Sequence, residues 1–390
     1  MAGKPAEEEE EMKRLPQCAQ LGSALVLVAA AMIPSALHAD SIFQPIEYTL
    51  GDGTVVRISG QINMGVLNYD DGQGSFTNVV NNDNSSSRVR LQILNTTGEW
   101  KFESTIEAEY QPLASNVVSQ YQDEPNWDFP ATNIRKAEVA LSHDNFGKLW
   151  LGQGSMASDG TAEVDNSGTS VIAYSSLSDT AGGYFFRNSG DGLSGISVGS
   201  AFSNFDGLGR KVRVRYDTPT FHGFGLRTSY GEDAFADKDF PLYDIAAVYS
   251  GDFDTIDLDA AMGYAWNDET DIETLSGSIS GLHKPTGISL TLAAAREFTD
   301  GIEGRYGYVK LGYQHAFFGC GKTAFSVDYY FGKDIAAAGS DSSSIGLAAV
   351  QNIDDYNLQL WALWRNYAYD DSASEYDDGQ AVFGGALFKF

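Results

Sequence analysis

Cysteine is nearly absent from this chain. Only Cys18 and Cys320 occur in 390 residues, too few for a disulfide framework or a thiolate metal site. Histidine is scarce as well: after residue 39 there are His143, His222, His283 and His315, each in a turn or at a strand end. None makes a metal-ligand or triad spacing. Positive charge is thin, with 25 Lys and Arg against 53 Asp and Glu and a net charge of −28. No basic footprint is left for nucleic acid. Long apolar runs are missing too, since nothing past residue 39 reaches the 18 residues a membrane helix needs. One stretch, FFGCGKT, has the end of a phosphate-binding loop, but Ala316 stands at its first glycine position and no helix follows. What the chain does hold is 42 Gly, 20 Tyr and 22 Phe, a composition that argues against disorder.

The first 39 residues read as a signal peptide. Lys13-Arg14 makes a basic start, Leu21 to Ile33 an apolar core too short to span a membrane, and SALHA leads to cleavage after Ala39. Residues 1–11 (MAGKPAEEEEE) place five glutamates ahead of that basic region, so Met12 reads as the true start and 1–11 as a mis-annotated prefix. Residues 40–390 then form a single domain.

That domain is written in period two. In TIDLDAAMGYAW, Ile256, Leu258, Ala260, Met262, Tyr264 and Trp266 share one face, and Asp257, Asp259, Ala261 and Gly263 share the other. KVRVRYD, SSRVRLQI, YVKLGYQHAF and TAFSVDYYFG alternate in the same way. NLQLWALWRNY is less clean, because Trp361 and Leu363 fall on the polar parity. A β-sandwich and a membrane barrel both alternate. Strands of 9–13 residues that end in aromatics, with charges and glycines on the other face, point to the barrel. Connections alternate short (NTTGE, SHDN, SGDFD, HKPTG) with long and acidic, and this parity ends the last strand, GQAVFGGALFKF, at the periplasmic rim.

The stretches RISGQINMGVLNYDDG, SSSRVRLQILNTTG, AEVALSHDNFGKLWLGQG, RVRYDTPTFHGFGLRTSYG and the terminal ALFKF, in this order, resemble the general diffusion porins of Gram-negative outer membranes, particularly the alphaproteobacterial type. The resemblance covers nearly the whole mature chain. It implies an all-β fold, a transmembrane antiparallel barrel of 16 strands, assembled as a homotrimer, with a long third loop (about 155–183) folded into the lumen. An extra hairpin at 182–204 leaves 18 strands possible. Phe390 then matches the C-terminal signal read by the barrel-assembly machinery, and outer-membrane lipid and lipopolysaccharide become the surrounding partners.

In that family a basic wall opposes carboxylates on the inward loop. Arg88, Arg90 and Arg215 match the wall, and Arg213 shares the lumen face of Arg215. Arg135, near a strand end, and Arg187, in the extra hairpin, complete the candidates. Gln153 stands where many related porins carry Arg. Asp159, Glu163 and Asp165, with Asp179 further along, are the loop candidates. The last long loop gathers Asp370, Asp371, Glu375, Asp377 and Asp378, hard oxygen ligands that could bind Ca²⁺ or Mg²⁺ and bridge to lipopolysaccharide phosphates; a solvated acidic surface explains them equally well. No other cofactor is implied. The expected function is a water-filled pore for small hydrophilic solutes and ions, weakly cation-selective. A sugar- or anion-selective channel is the alternative, with a barrel enzyme or adhesin behind it. Most Tyr and Phe fall on the outward parity, so no aromatic sugar track is legible.

Overall fold

The computed structural model describes residues 44–190, 192–233 and 240–390. The signal peptide, its acidic prefix and most of the 232–240 loop lie outside these residues. Alternation becomes strand almost everywhere it was read. The first strands are β1 (Ile46–Thr49), β2 (Val55–Asp70), β3 (Ser75–Asn81), β4 (Arg88–Thr97), β5 (Trp100–Glu109), β6 (Ile134–His143) and β7 (Gly147–Ser155). Then follow β8 (Phe185–Asn188), β9 (Leu193–Ser197), β10 (Arg210–Asp217), β11 (Phe224–Glu232), β12 (Leu242–Asp252), β13 (Ile256–Asn267) and β14 (Ile272–His283). The chain ends with β15 (Ile288–Phe298), β16 (Arg305–Phe318), β17 (Gly321–Lys333), β18 (Asp341–Ile353), β19 (Leu358–Asp370), β20 (Tyr376–Asp377) and β21 (Gly379–Lys389).

Eighteen of these segments form one antiparallel sheet, and it closes where β21 pairs with β2. The wall has 16 positions. β3 and β4 share one, pairing with the upper and lower halves of β2, and β1 folds back on the start of β2 beneath the end of β21. The extra hairpin does not enter the wall. β8 and β9 pair with each other and with β20 in a separate three-stranded sheet, and β8 has four residues where crossing needs about nine. That settles 16 over 18. The stretch at 70–86, read as a long loop, contains β3; its Ser, Thr and Asn hide the alternation.

Outward positions are apolar along the wall, as with Phe325, Val327, Tyr329 and Phe331 on β17, while Ala324, Ser326, Asp328 and Tyr330 face inward. A strand of 13 residues is about 43 Å long and covers about 30 Å of height at a tilt of about 45°. Tyr230, Tyr243, Trp266, Phe298 and Phe331 ring the end with the long loops; Trp100, Phe146, Phe224, Tyr249 and Phe317 ring the end with the short turns. These are interfacial girdles. Phe390 belongs to the outward set. Its backbone exchanges hydrogen bonds with Gly60 at 2.8 and 3.0 Å, and its ring lies where a Cβ on Gly60 would meet it at 2.6 Å. The last residue is held.

The outward rule fails for one group of aromatics. Tyr69, Tyr184, Phe186, Phe202, Tyr306 and Tyr330 are buried inside the barrel together with Trp361, Leu363, Tyr367, Tyr369 and Phe383. The imperfect alternation of NLQLWALWRNY therefore records an inner packing surface on β19, covered by the segment around β8 and β9. Tyr69 stacks on Tyr184 at 4.3 Å and Tyr306 on Tyr330 at 5.3 Å. Within this apolar side sits a buried ion pair, Arg365 with both Asp328 oxygens at 2.7 and 2.9 Å. Asp328→Ala leaves Arg365 buried without its counter-charge and should lower unfolding stability in detergent by roughly 3–5 kcal/mol. Urea titration followed by heat-modifiable migration measures this, and the double change with Arg365→Met should recover most of the loss.

Candidate functional site

Between β7 and β8 the chain leaves the wall and crosses the interior. Its route is recorded by bonds to inward side chains, beginning with Asp244 of β12, which accepts from the Ser158 amide at 2.7 Å and the Ala157 amide at 3.2 Å. Hydroxyls on β14 continue it. Ser276 bonds the Thr161 hydroxyl at 2.7 Å, Ser278 accepts from the Val164 amide at 2.9 Å, and Ser280 accepts from the Asn166 amide at 2.8 Å. These are every second residue of LSGSIS, so one face of one strand supplies all three. Further round, Thr169 meets Ser326 of β17 at 2.8 Å, and Tyr367 of β19 donates to the Leu177 carbonyl at 3.1 Å. Residues 156–184 therefore run across the barrel from β12 to β19, against the face opposite the apolar exterior.

The start of the crossing is pinned by two predicted residues. Arg213 donates to the carbonyls of Gly152 and Ser155 at 3.0 and 3.1 Å and pairs with buried Glu138. Arg215 donates to the Met156 carbonyl at 3.0 Å and binds Asp217 through two bonds, at 2.7 and 3.1 Å. Both are nearly covered, so they hold the loop more than they line a passage. The LGQG glycines make room for them. Gly152 has φ +116°, and a Cβ on Gly154 would lie 2.2 Å from the Glu138 carboxylate.

Neighbouring strands add an inward ladder of alternating sign. Arg90 of β4 sits opposite Glu107 of β5 and donates to it at 2.6 Å. Arg135 reaches Glu107 at 2.9 Å and also pairs with Glu109. Arg88 differs: its recorded partner is the Ser86 hydroxyl at 3.4 Å, and among the described residues no carboxylate lies within ion-pair distance of it. Arg187 is not brought to this wall. It sits on β8 and pairs with buried Asp71, between β2 and β3, at 2.9 Å. Burial works against charge on Asp71, but Arg187, Gln120 and the amides of Gln73 and Gly74 outweigh it and hold the carboxyl below its ordinary value.

The loop acids divide into two sets. Asp165 is neutralised by Lys310 of β16, whose ammonium is buried and donates to it at 2.6 Å and to the Ala173 carbonyl at 2.6 Å. Asp159, Asp179 and Asp206 lie instead around Glu163, and Asp206 accepts from the Gly160 and Ala162 amides at 2.6 and 2.7 Å. Burial and the neighbouring carboxylates raise Glu163 well above its ordinary value. Burial, then Asp83, lifts Asp179 to about 7, and burial, then Asp159, lifts Asp206 to about 7. Arg210 is in electrostatic reach of Asp83, Asp206 and Arg88, so acids and bases face one another across the gap.

Below the crossing are two polar recesses. One of about 410 Å³ is lined by Asp165, Asn166, Asp252, Asp257 and Asp259, and one of about 380 Å³ by Asn84, Glu163, Tyr174, Gln359 and Lys389. In the last long loop, Asp371 accepts from the Ala373 and Ser374 amides and from the Tyr369 and Tyr376 hydroxyls. Asp377 accepts from Gln73 and Ser189, and Asp378 from Asn366; Asp370 stands opposite Asp341 in the ladder, and the Glu375 carbonyl accepts from Ser189. Among the described residues no three His, Cys, Asp or Glu side chains are grouped to hold a metal ion.

Glu107, Glu109, Glu138, Lys310, Asp206 and Arg210 were not among the predicted site residues. The first three alternate legibly in STIEAEY and KAEVA, but their pairing with arginines depends on register. Arg213→Ala should cost roughly 3 kcal/mol by removing the close partner of buried Glu138, which keeps only Lys136 at 3.6 Å, whereas Arg88→Ala should cost under about 1 kcal/mol. Unfolding midpoints of the two variants in detergent compare them.

A family model described as Gram-negative porin matches residues 24–362. No curated protein matches the chain in sequence. Among solved structures, an anion-selective porin from Comamonas acidovorans is similar at TM-score 0.60 and 17% identity, over 86% of this chain and 100% of that one. In-vitro folded OmpT of Vibrio cholerae, in a trimer form, gives 0.55 and 14%, over 86% and 99%. OmpF of Salmonella typhi, in complex with daunomycin, gives 0.55 and 13%, over 88% and 100%. At these identities the likeness is one of fold alone. With a matched span covering most of its length and a closed 16-position barrel around a charged interior, the chain belongs to the Gram-negative porin family and resides in the outer membrane.

Proposed function

We propose that the barrel is a water-filled pore for passive diffusion of small hydrophilic solutes and ions, with weak cation preference. One observation carries the preference: Arg90, Arg135, Arg213 and Arg215 are each held by a wall carboxylate, which leaves the chain's excess of acid to set the field. A net charge of −28 over the chain acts in the same sense at the mouths. Opposed charges across the gap orient dipolar solutes and hold water that an apolar solute would have to displace. The inner aromatics do not favour a sugar track, because Tyr69, Tyr330 and Tyr367 are fully buried and offer no ring face to a passing solute.

The assembly is a homotrimer in this reading. From β2 to β4 the exterior carries exposed Ile62, Met64, Val66, Val79 and Leu91 in place of aromatics, beside exposed Tyr121 and Trp127 of the 110–133 loop. Such a face suits protein contact. Phe390 is then an address for the assembly machinery as well as an anchor. The acidic outer loops would meet lipopolysaccharide phosphates through divalent cations.

Purified protein in a planar bilayer across a KCl gradient should give stable conductance steps. The reversal potential should indicate mild cation preference that fades as salt is raised. Folded protein without conductance, or with anion preference, would overturn the reading.

A further inference from the structure

The insertion between the crossing loop and β10 lies along that loop as a second layer. At one end the backbones touch: the Val198 amide donates to the Tyr184 carbonyl and the Gly199 amide to the Gly182 carbonyl, both at 2.8 Å. Glycine at 199 permits this approach, since a Cβ there would stand 3.0 Å from the Gly182 oxygen. Further on, Asn204 donates to Glu163 at 2.9 Å, and Asp206 receives the Gly160 and Ala162 amides. The Leu208 amide donates to the Ser158 hydroxyl at 3.1 Å, and the Gly209 carbonyl accepts from the Met156 amide at 2.8 Å. The chain thus turns back after residue 184 and retraces its own crossing in reverse order.

The two layers stand at different heights. On β17 the crossing loop meets Ser326 through Thr169, whereas the insertion meets Tyr330, which donates to the Ser203 carbonyl at 2.6 Å. These two wall residues are about 13 Å apart along the strand, and Tyr330 is the one nearer the long loops. Ser342, near the same end of β18, donates to the Ala201 carbonyl at 2.6 Å. At the mouth β8 pairs with β20, Arg187 with Asp71, and Phe185 exchanges two hydrogen bonds with Gln120 at 2.9 and 3.0 Å. Val198, Ala201 and Phe202 are buried and Ile196 packs on the aromatic core, whereas Gly195, Gly199 and Ser200 are exposed. That exposed border carries no charge.

We propose that the insertion is a second restriction of the pore, one that limits solutes by size and leaves discrimination by charge to the wall and the crossing loop. The inference rests on the channel reading. A single loop across a barrel makes a ring, whereas two layers, one above the other, make a short tube. Resistance grows with the length of the narrow part, and pore width decides what enters it. A solute too wide for the outer layer never reaches the field between the loop acids and the wall arginines. The layer is also held in place from several sides, by β17, β18, the crossing loop, the 110–133 loop and the last long loop. Its width is therefore a fixed property of the fold.

Gly195→Cys and Ser200→Cys test this, because a Cβ at 195 would meet nothing within 4 Å and Ser200 is exposed. Each folded variant is placed in a planar bilayer and treated with an uncharged, bulky methanethiosulfonate reagent, with the unsubstituted barrel as control. Single-channel current should fall by about a third or more at each position, and further with a larger reagent. The reversal potential in a KCl gradient should stay where it was, and liposome swelling should shift its cut-off to smaller neutral sugars. Thiols that the reagent cannot reach, or modification confirmed by mass without a fall in current, would overturn the second restriction and leave the channel reading standing. A fall in current with a shifted reversal potential would overturn the separation of size from charge. Folded barrels that conduct in no state, before or after treatment, would overturn both readings.

Discussion

Hydrocarbon offers no water to a backbone amide or carbonyl, so a chain that crosses it with strands must pair both edges of every strand. Closure follows from that requirement, and here it is met by the final segment, β21, bonded to β19 on one edge and to β2 on the other. The same requirement shows at the weakest point of the wall. Between β3 and β4 the strand leaves the sheet for residues 82–87, and the exposed groups are recovered by the following loop. Leu113 accepts from the Asn81 amide, Asn81 from the Ser115 amide and Ser87 from the Tyr110 amide. Even the first residues obey it, since β1 covers the start of β2 that β21 does not reach.

A closed wall frees the inner face to differ from side to side. The side from β4 to β11 carries arginines and carboxylates in alternation, β12 to β15 carry mainly small residues and hydroxyls, and β16 to β21 carry an aromatic mass. Each side performs a different task. Hydroxyls bind the crossing loop without adding charge, the aromatic side seats the insertion, and the charged side is left to face the loop acids. A passage bounded in this way is narrower than the barrel that contains it. Its field is also weaker than a count of arginines suggests, because Arg90, Arg135, Arg213 and Arg215 are each held by a carboxylate.

Alternation made most of the wall legible, because a strand between lipid and water must change polarity at every residue. It failed in informative places. β3 was hidden because Ser75 and Thr77 put polar side chains on its exposed parity, where both bond Asn68. Trp361 and Leu363 broke the rhythm because the inner face is locally a protein core. Among the site residues, Arg88, Arg90 and Arg135 were brought to one wall with Glu107 and Glu109. Arg213 and Arg215 became supports, Arg187 went to Asp71, and Asp165 went to Lys310.

Sequence by itself determined the class of architecture, the direction each strand residue faces and the excess of acid, since all three depend on residue type and on a period of two. Only the tertiary structure decided which charges survive. Neutralisation depends on which strands are neighbours and in what register, as when Arg90 falls opposite Glu107 and Lys310 meets a loop residue 145 positions away. Those distances are set by closure and by the path of the crossing loop, and no local pattern carries them.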